Sequence, residues 1–221
     1  MAEFLEVLSF PFMRRALIVG VIVSLCAALL GVVLVLKRYS LIGHGLGEVG
    51  FAALALAMAL GLPPMPVAIP LVVAASFLIM YLSQRGALAG DAAIGIMAAA
   101  ALSFGVIVTS LSNGFNMDVS DYMFGSILAV SESDVVLSVV LGLAVILMYG
   151  LFFNRLFAIS YDEVNAQATG INVSMYQFMI SLLTAITVVL GMRMMGTMLI
   201  SSLILFPALT ARRLVGSFKA M

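Results

Sequence analysis

Two polar side chains inside an apolar stretch are the best placed in this chain to do chemistry. In Leu41-Ile42-Gly43-His44-Gly45-Leu46-Gly47-Glu48-Val49-Gly50-Phe51, His44 and Glu48 stand four positions apart. On a helix that spacing puts them on one face, a turn apart. An imidazole and a carboxylate so placed can both reach one divalent cation, or bond each other. His44 is the only histidine in the chain, so any histidine ligand is this one. Ionisable groups within apolar spans are costly and mark function by default. The competing reading is a pair near a span end, simply solvated, with Glu48 balanced by Lys37 or Arg38. Gly43, Gly47 and Gly50 line a neighbouring face at i, i+4 and i+7, a spacing that lets another helix approach closely.

Other polar residues have blander explanations. Asp91, in Gly90-Asp91-Ala92, is expected to cap a helix. Asp118, Asp121 and Asp134 also read mainly as helix starts, with an acidic cation entrance as a minor alternative. Thr197, Ser201 and Ser202 are expected to bond between helices. Cys26 lies in an apolar run and has no internal disulfide partner, so packing is its expected role. The chain has two lysines, Lys37 and Lys219, and no Gly-x-x-x-x-Gly-Lys phosphate loop. If ATP drives this protein, hydrolysis belongs to another chain, and this chain is not itself an enzyme.

The elements that must position the pair follow from composition. Of 221 residues 64% are hydrophobic and 9% charged, and the mean hydropathy is +1.27. Soluble domains run at roughly 45–50% apolar and about 25% charged, and a domain of this size cannot hide so much apolar surface. A soluble enzyme, a disordered chain and a disulfide scaffold are excluded. Net charge is zero, so nothing suggests a nucleic-acid partner. The expectation is an all-α, polytopic transmembrane bundle in a single domain, residues 1–221, surrounded by membrane lipid. At roughly 20 apolar residues per crossing the length allows about seven spans.

The apolar windows are Ala16 to Leu36, Leu41 to Leu60, Val67 to Leu82, Ala92 to Leu111, Val135 to Phe153, Val173 to Met192 and Met194 to Ala211. Tyr122 to Val130 is too short to span and reads as a re-entrant or interfacial helix. With the N-terminus outside, Lys37, Arg38, Arg85, Arg155, Arg212, Arg213 and Lys219 are cytoplasmic and only Arg14, Arg15 and Arg193 external, the bias expected of an inner-membrane protein. In the fifth-to-sixth connection Ser160 and Glu163 have capping-box spacing, Asp162 and Glu163 suit a helix N-terminus, and Gly170 is a natural stop. A short cytoplasmic helix over 161–169 is predicted. Ala166 and Ala168 would leave it slim enough to enter a partner's groove, or it is a plain surface linker.

Five landmarks carry a family resemblance over about Pro11 to Arg213: Leu36-Lys37-Arg38-Tyr39-Ser40-Leu41-Ile42-Gly43, Gly90-Asp91-Ala92-Ala93-Ile94-Gly95-Ile96, Tyr122-Met123-Phe124-Gly125-Ser126-Ile127-Leu128, the loop from Tyr161-Asp162-Glu163 to Ala168-Thr169-Gly170, and Leu203-Ile204-Leu205-Phe206-Pro207-Ala208-Leu209-Thr210-Ala211-Arg212. Each is weak alone, but in this order they are specific. The chain resembles the membrane permease subunit of ABC-type divalent-metal importers, the zinc/manganese/iron group. The resemblance implies a homodimer of permeases in the cytoplasmic membrane of a prokaryote, with two cytoplasmic ATP-binding subunits and an extracytoplasmic metal-binding protein. It also implies that the short helix is the coupling helix, with Asp162, Glu163, Ala166, Ala168 and Gly170 at the ATPase contact. The family's second span usually carries Asp and then His four residues later. Here His44 and Glu48 hold those positions, so the spacing is kept and the residue order reversed. Family members usually continue past the Ala-Arg-Arg stretch, so the chain is expected to be short at its C-terminus.

The leading expectation is an ATP-driven importer of a divalent metal, Zn2+ first and Mn2+ or Fe2+ next, held in transit by His44 and Glu48, with no resident cofactor. One alternative is a permease for a metal chelate such as a siderophore or cobalamin, which needs a wide, non-coordinating channel. Another is a secondary metal/proton transporter using the pair as a proton relay. Co-purification of an ATPase subunit separates the last from the others.

Overall fold

The structure, a computed structural model, describes residues 10–84, 90–112, 125–126, 128 and 130–220. Among the described residues there is no strand. The helices are α1 (Pro11–Leu36), α2 (Ile42–Ala59), α3 (Pro64–Gln84), α4 (Gly90–Leu111), α5 (Glu132–Tyr161), the short α6 (Glu163–Ala168) and α7 (Val173–Leu214). Among the described residues, all but α6 are long and apolar enough to cross a membrane, six helices in all. They form because apolar segments in lipid must satisfy their backbone internally. Local signals set their ends. Pro11 opens α1, where its missing N–H costs nothing. Ser131 and Asp134 make a reciprocal capping box at the start of α5. Asn172 caps α7 through the Met175 N–H at 3.2 Å.

The sixth and seventh apolar windows appear as one 42-residue helical stretch, α7. As a straight rod it would be about 63 Å long, twice the roughly 30 Å hydrocarbon core. It is not straight. Gly196 sits at φ 84° and ψ 164°, a region open essentially to glycine alone. A Cβ added to Gly191 would lie 3.1 Å from that of Ile200, whereas nine residues along a continuous helix rise about 13.5 Å. The chain therefore turns back at Gly196, giving two antiparallel limbs, 173–195 and 197–214. Both expected windows exist, and their connection is a single glycine.

Contacts fix the directions. α1 and α5 run parallel: Arg15 pairs with Glu132, Ile22 lies against Gly142, and the Tyr149 hydroxyl donates to the Leu29 carbonyl. α5 runs antiparallel to the first limb of α7, with Arg193 2.9 Å from Asp134 at one end and Phe152 and Tyr176 ring centroids 5.4 Å apart at the other. α3 joins that limb through Ser76 to the Ser181 carbonyl at 3.3 Å and through stacked Phe77 and Phe178. The second limb of α7 returns beside α1, where Gly31 lies against the Ile204 backbone.

Lys37, Arg38, Arg155, Arg212, Arg213 and Lys219 thereby gather at one end of the bundle, which we call the basic end. Arg14, Arg15 and Arg193 lie at the other. Arg85 is outside the described residues. The described part of Tyr122 to Val130 belongs to the opposite end: Gly125 lies against the backbone of Met194 to Gly196, and the Ser126 N–H donates to the Arg193 carbonyl at 3.2 Å. α4 ends and α5 begins at that same end, and the rest of Tyr122 to Val130 lies outside the described residues.

Candidate functional site

The α1–α2 corner is tight. The Tyr39 N–H returns to the Leu34 carbonyl at 2.9 Å and the Ile42 N–H to the Tyr39 carbonyl at 3.2 Å. Arg38 takes a left-handed φ of 63° between them. Asp91 was expected to cap its own helix. Instead α4 begins at Gly90, and the Asp91 carboxylate accepts the Leu41 N–H at 3.2 Å, tying the start of α4 to the entry of α2. The donor at Leu41 comes from a corner fifty residues away, which local capping rules do not consider.

Within α2 the glycines are wedged as their spacing predicts. Gly43 faces Ser201 and Gly47 faces Thr197 on the second limb of α7, Gly50 meets Met192, and Gly45 meets Ile94 of α4. At about 100° per residue, His44 and Glu48 then point into the seam between α4 and the second limb of α7. Glu48 is 6% exposed, while the His44 side chain is 54% exposed. His44 Nδ1 lies 3.7 Å from Glu48 Oε1. That is beyond hydrogen-bonding distance but suits a shared ion: donors about 2.1 Å from one metal and 3.7 Å apart subtend roughly 120°. Among the described residues no group of three or more His, Cys, Asp or Glu side chains converges on a point. The pair offers two donor groups, not a closed cage.

The solvated alternative for Glu48 meets a specific obstacle. Lys37, one of its two expected counter-ions, points elsewhere, with Nζ 3.5 Å from Glu163 Oε2. Two of the three hydroxyls expected to bond between helices, those of Ser201 and Ser202, turn out otherwise. Ser201 donates to the Thr197 carbonyl at 2.6 Å and Ser202 to the Met198 carbonyl at 2.9 Å, both within their own helix. A polar atom without water takes the nearest carbonyl, one turn back.

The predicted short helix is present as α6, with its cap moved. Ser160 is the penultimate residue of α5 and donates to the Leu156 carbonyl at 2.6 Å. That bond removes its hydroxyl from capping duty. Asp162, in an extended conformation, caps α6 through the Asn165 N–H at 3.0 Å. Gly170 closes it at φ 85°, with Gly170 N–H to Gln167 and Ile171 N–H to Ala166, the paired bonds of a Schellman stop. Ala166 is buried against its own chain, while Val164 and Ala168 are exposed. The exposed face of α6 therefore carries Val164 and Ala168 rather than Ala166. Asp118 and Asp121 lie outside the described residues.

A model of the ABC 3 transport family matches residues 9–221. The chain belongs to that family. Over 220 residues it is 32% identical to the manganese import system permease protein ScaB of Streptococcus gordonii, covering 99% of this chain and 79% of that one. It is 29% identical to the high-affinity zinc uptake system membrane protein ZnuB of Haemophilus influenzae over 215 residues, 96% of this chain and 81% of that one. Among solved structures it resembles PsaBC from Streptococcus pneumoniae, seen in complex with Fab, with a TM-score of 0.80 and 31% identity, covering 99% of this chain and 79% of that chain. This family member is a multi-pass integral membrane protein of the prokaryotic cell membrane, and the relatives it matches are permease subunits. Sequence reasoning missed three of its tertiary ties: Lys37 to Glu163, Arg193 to Asp134 and Tyr149 to Leu29. None has a sequence signal, because each joins residues more than fifty positions apart.

Proposed function

We propose that this chain is the permease of an ATP-driven importer of a divalent first-row metal, with Mn2+ ahead of Zn2+ as the cargo. The single observation that carries the reading is the His44–Glu48 pair, a buried carboxylate and an accessible imidazole 3.7 Å apart, on a helix clamped by glycines between α4 and α7. Family membership supports an ATPase subunit and a substrate-binding protein as partners. The manganese relatives support Mn2+ over the Zn2+ that the residue types alone suggested. A mixed nitrogen and oxygen donor set suits either ion.

Two ligands hold an ion weakly, which suits a cargo that must be released. Two copies of the chain, arranged as a homodimer, would present two such pairs. The basic end, carrying α6, is then cytoplasmic by the positive-inside rule, and α6 docks on the ATPase there. Its capped ends keep so short a helix from fraying.

The test is uptake of radioactive Mn2+ and Zn2+ into cells expressing the chain with its ATPase and binding protein. His44→Ala and Glu48→Ala are each expected to lower uptake by at least about tenfold, since even displaced supporting partners cost that much at metal sites. Wild-type uptake by both variants at matched expression overturns the site assignment.

A further inference from the structure

Lys37 follows the last residue of α1 at the basic end, where a lysine would ordinarily extend into water. Instead its side chain is 5% exposed. Its Nζ stands 3.5 Å from Glu163 Oε2, and the Gln177 amide donates to Oε1 of the same carboxylate. One carboxylate thus joins three elements: the α1–α2 corner, the first residue of α6 and the second turn of α7. Beside it lies a cavity of about 530 Å³ lined by Lys37, Tyr39, Ile159, Ser160, Glu163 and Gln167, among others. Close-packed side chains transmit displacement, whereas an open cavity does not. Across this gap the corner meets α6 through the ion pair.

The corner itself is stiff on the far side. Its backbone is held by Tyr39 to Leu34 and Ile42 to Tyr39, and its exit by Leu41 to Asp91. His44 follows within one turn of that exit. Burial pushes the Lys37 ammonium below its ordinary lysine range, and Glu163 pulls it partly back. A buried pair of this kind is poor value as stabilisation, since desolvation offsets attraction, and it holds geometry better than it holds energy.

We propose that Lys37 is a positioning residue, and that the Lys37–Glu163–Gln177 junction carries movement of α6 to α2 and so to His44 and Glu48. The inference rests on the reading of α6 as the ATPase-docking helix. Its consequence is specific: cutting the junction uncouples hydrolysis from transport without dismantling the assembly.

The experiment uses the complete transporter, permease with ATPase and binding protein, in proteoliposomes, with Mn2+ as the probe. Three quantities are read: subunit co-purification, ATP hydrolysis and metal moved per ATP. For Lys37→Met, hydrolysis is expected to stay within about twofold of wild type while metal per ATP falls about tenfold, a typical coupling factor between sites. The charge-swapped pair K37E/E163K is expected to regain most of the ratio. Glu163→Gln, which keeps the volume and a Gln177 contact, should also lower the ratio and serves if Lys37→Met fails to assemble. A wild-type ratio in an assembled Lys37→Met or Glu163→Gln complex overturns the proposal, as does a charge-swapped complex that assembles and stays uncoupled. A wild-type chain that neither binds the ATPase nor moves metal overturns the functional reading itself, and this proposal with it.

Discussion

At the scale of single residues, the two members of the candidate pair do different work. Glu48 is enclosed by α2's neighbours, and His44 stands half open to the seam. A buried carboxylate whose one basic neighbour is an imidazole 3.7 Å away is costly, and on the proposed reading an arriving cation offsets that cost. Glu48→Gln keeps the shape and removes the charge. We expect it to abolish metal-dependent uptake while leaving the chain folded, checked by initial uptake rates beside the elution profile of the purified protein. Asp162 tests a smaller effect. It caps α6 by one bond to Asn165 N–H, and loss of such a cap costs about 1 kcal/mol. Asp162→Ala should speed amide hydrogen exchange in α6 while leaving exchange in α2 unchanged.

At the scale of elements, glycine placement decides which helices touch. A Cβ at Gly31 would stand 2.1 Å from the Ile204 carbonyl oxygen, and backbone cannot step aside as a side chain can. Gly31→Ala should force α1 from the second limb of α7 and lower the melting temperature in detergent by several degrees, an effect of about 1–3 kcal/mol for an overpacked contact. Gly150, with nothing within 4 Å of its added Cβ, is the control. Gly150→Ala in the middle of α5 should leave the melting temperature unchanged or raise it slightly. Gly196 tests the reversal in α7. Its backbone region excludes side chains, so Gly196→Ala should favour one continuous helix and fail to yield folded protein.

At the scale of the whole molecule, charge and topology agree. The helix directions place Lys37, Arg38, Arg155, Arg212, Arg213 and Lys219 at one end and Arg14, Arg15 and Arg193 at the other. The sole cysteine, Cys26, is buried, so a Cys26→Ser background is a clean starting point for labelling. In that background Ser217→Cys, exposed at the basic end, should react only after the membrane is permeabilised, and Ser126→Cys, exposed at the opposite end, should react in intact cells. The reverse pattern would invert the orientation and with it the assignment of α6 to the cytoplasm.

Sequence alone determined a good deal of this protein, for reasons that are local. Apolar run length gave the spans, because hydrocarbon thickness sets how many residues cross. Glycine spacing in 43–50 announced a clamped helix, and histidine count and spacing singled out His44 and Glu48. Asp162, Glu163 and Gly170 announced α6 by end chemistry that needs no tertiary partner. What only the tertiary structure decided is pairing across distance. Lys37 reads as a cytoplasmic charge that could balance Glu48, and folding gives it to Glu163. Asp91 has the right neighbours to cap its own helix, and the nearby α2 backbone takes it instead. Ser160 has the spacing of a cap, yet the continuation of α5 to Tyr161 leaves its hydroxyl facing its own helix. In each case the residue has more than one satisfactory bond available, and the packing of helices far apart in sequence determines which one forms.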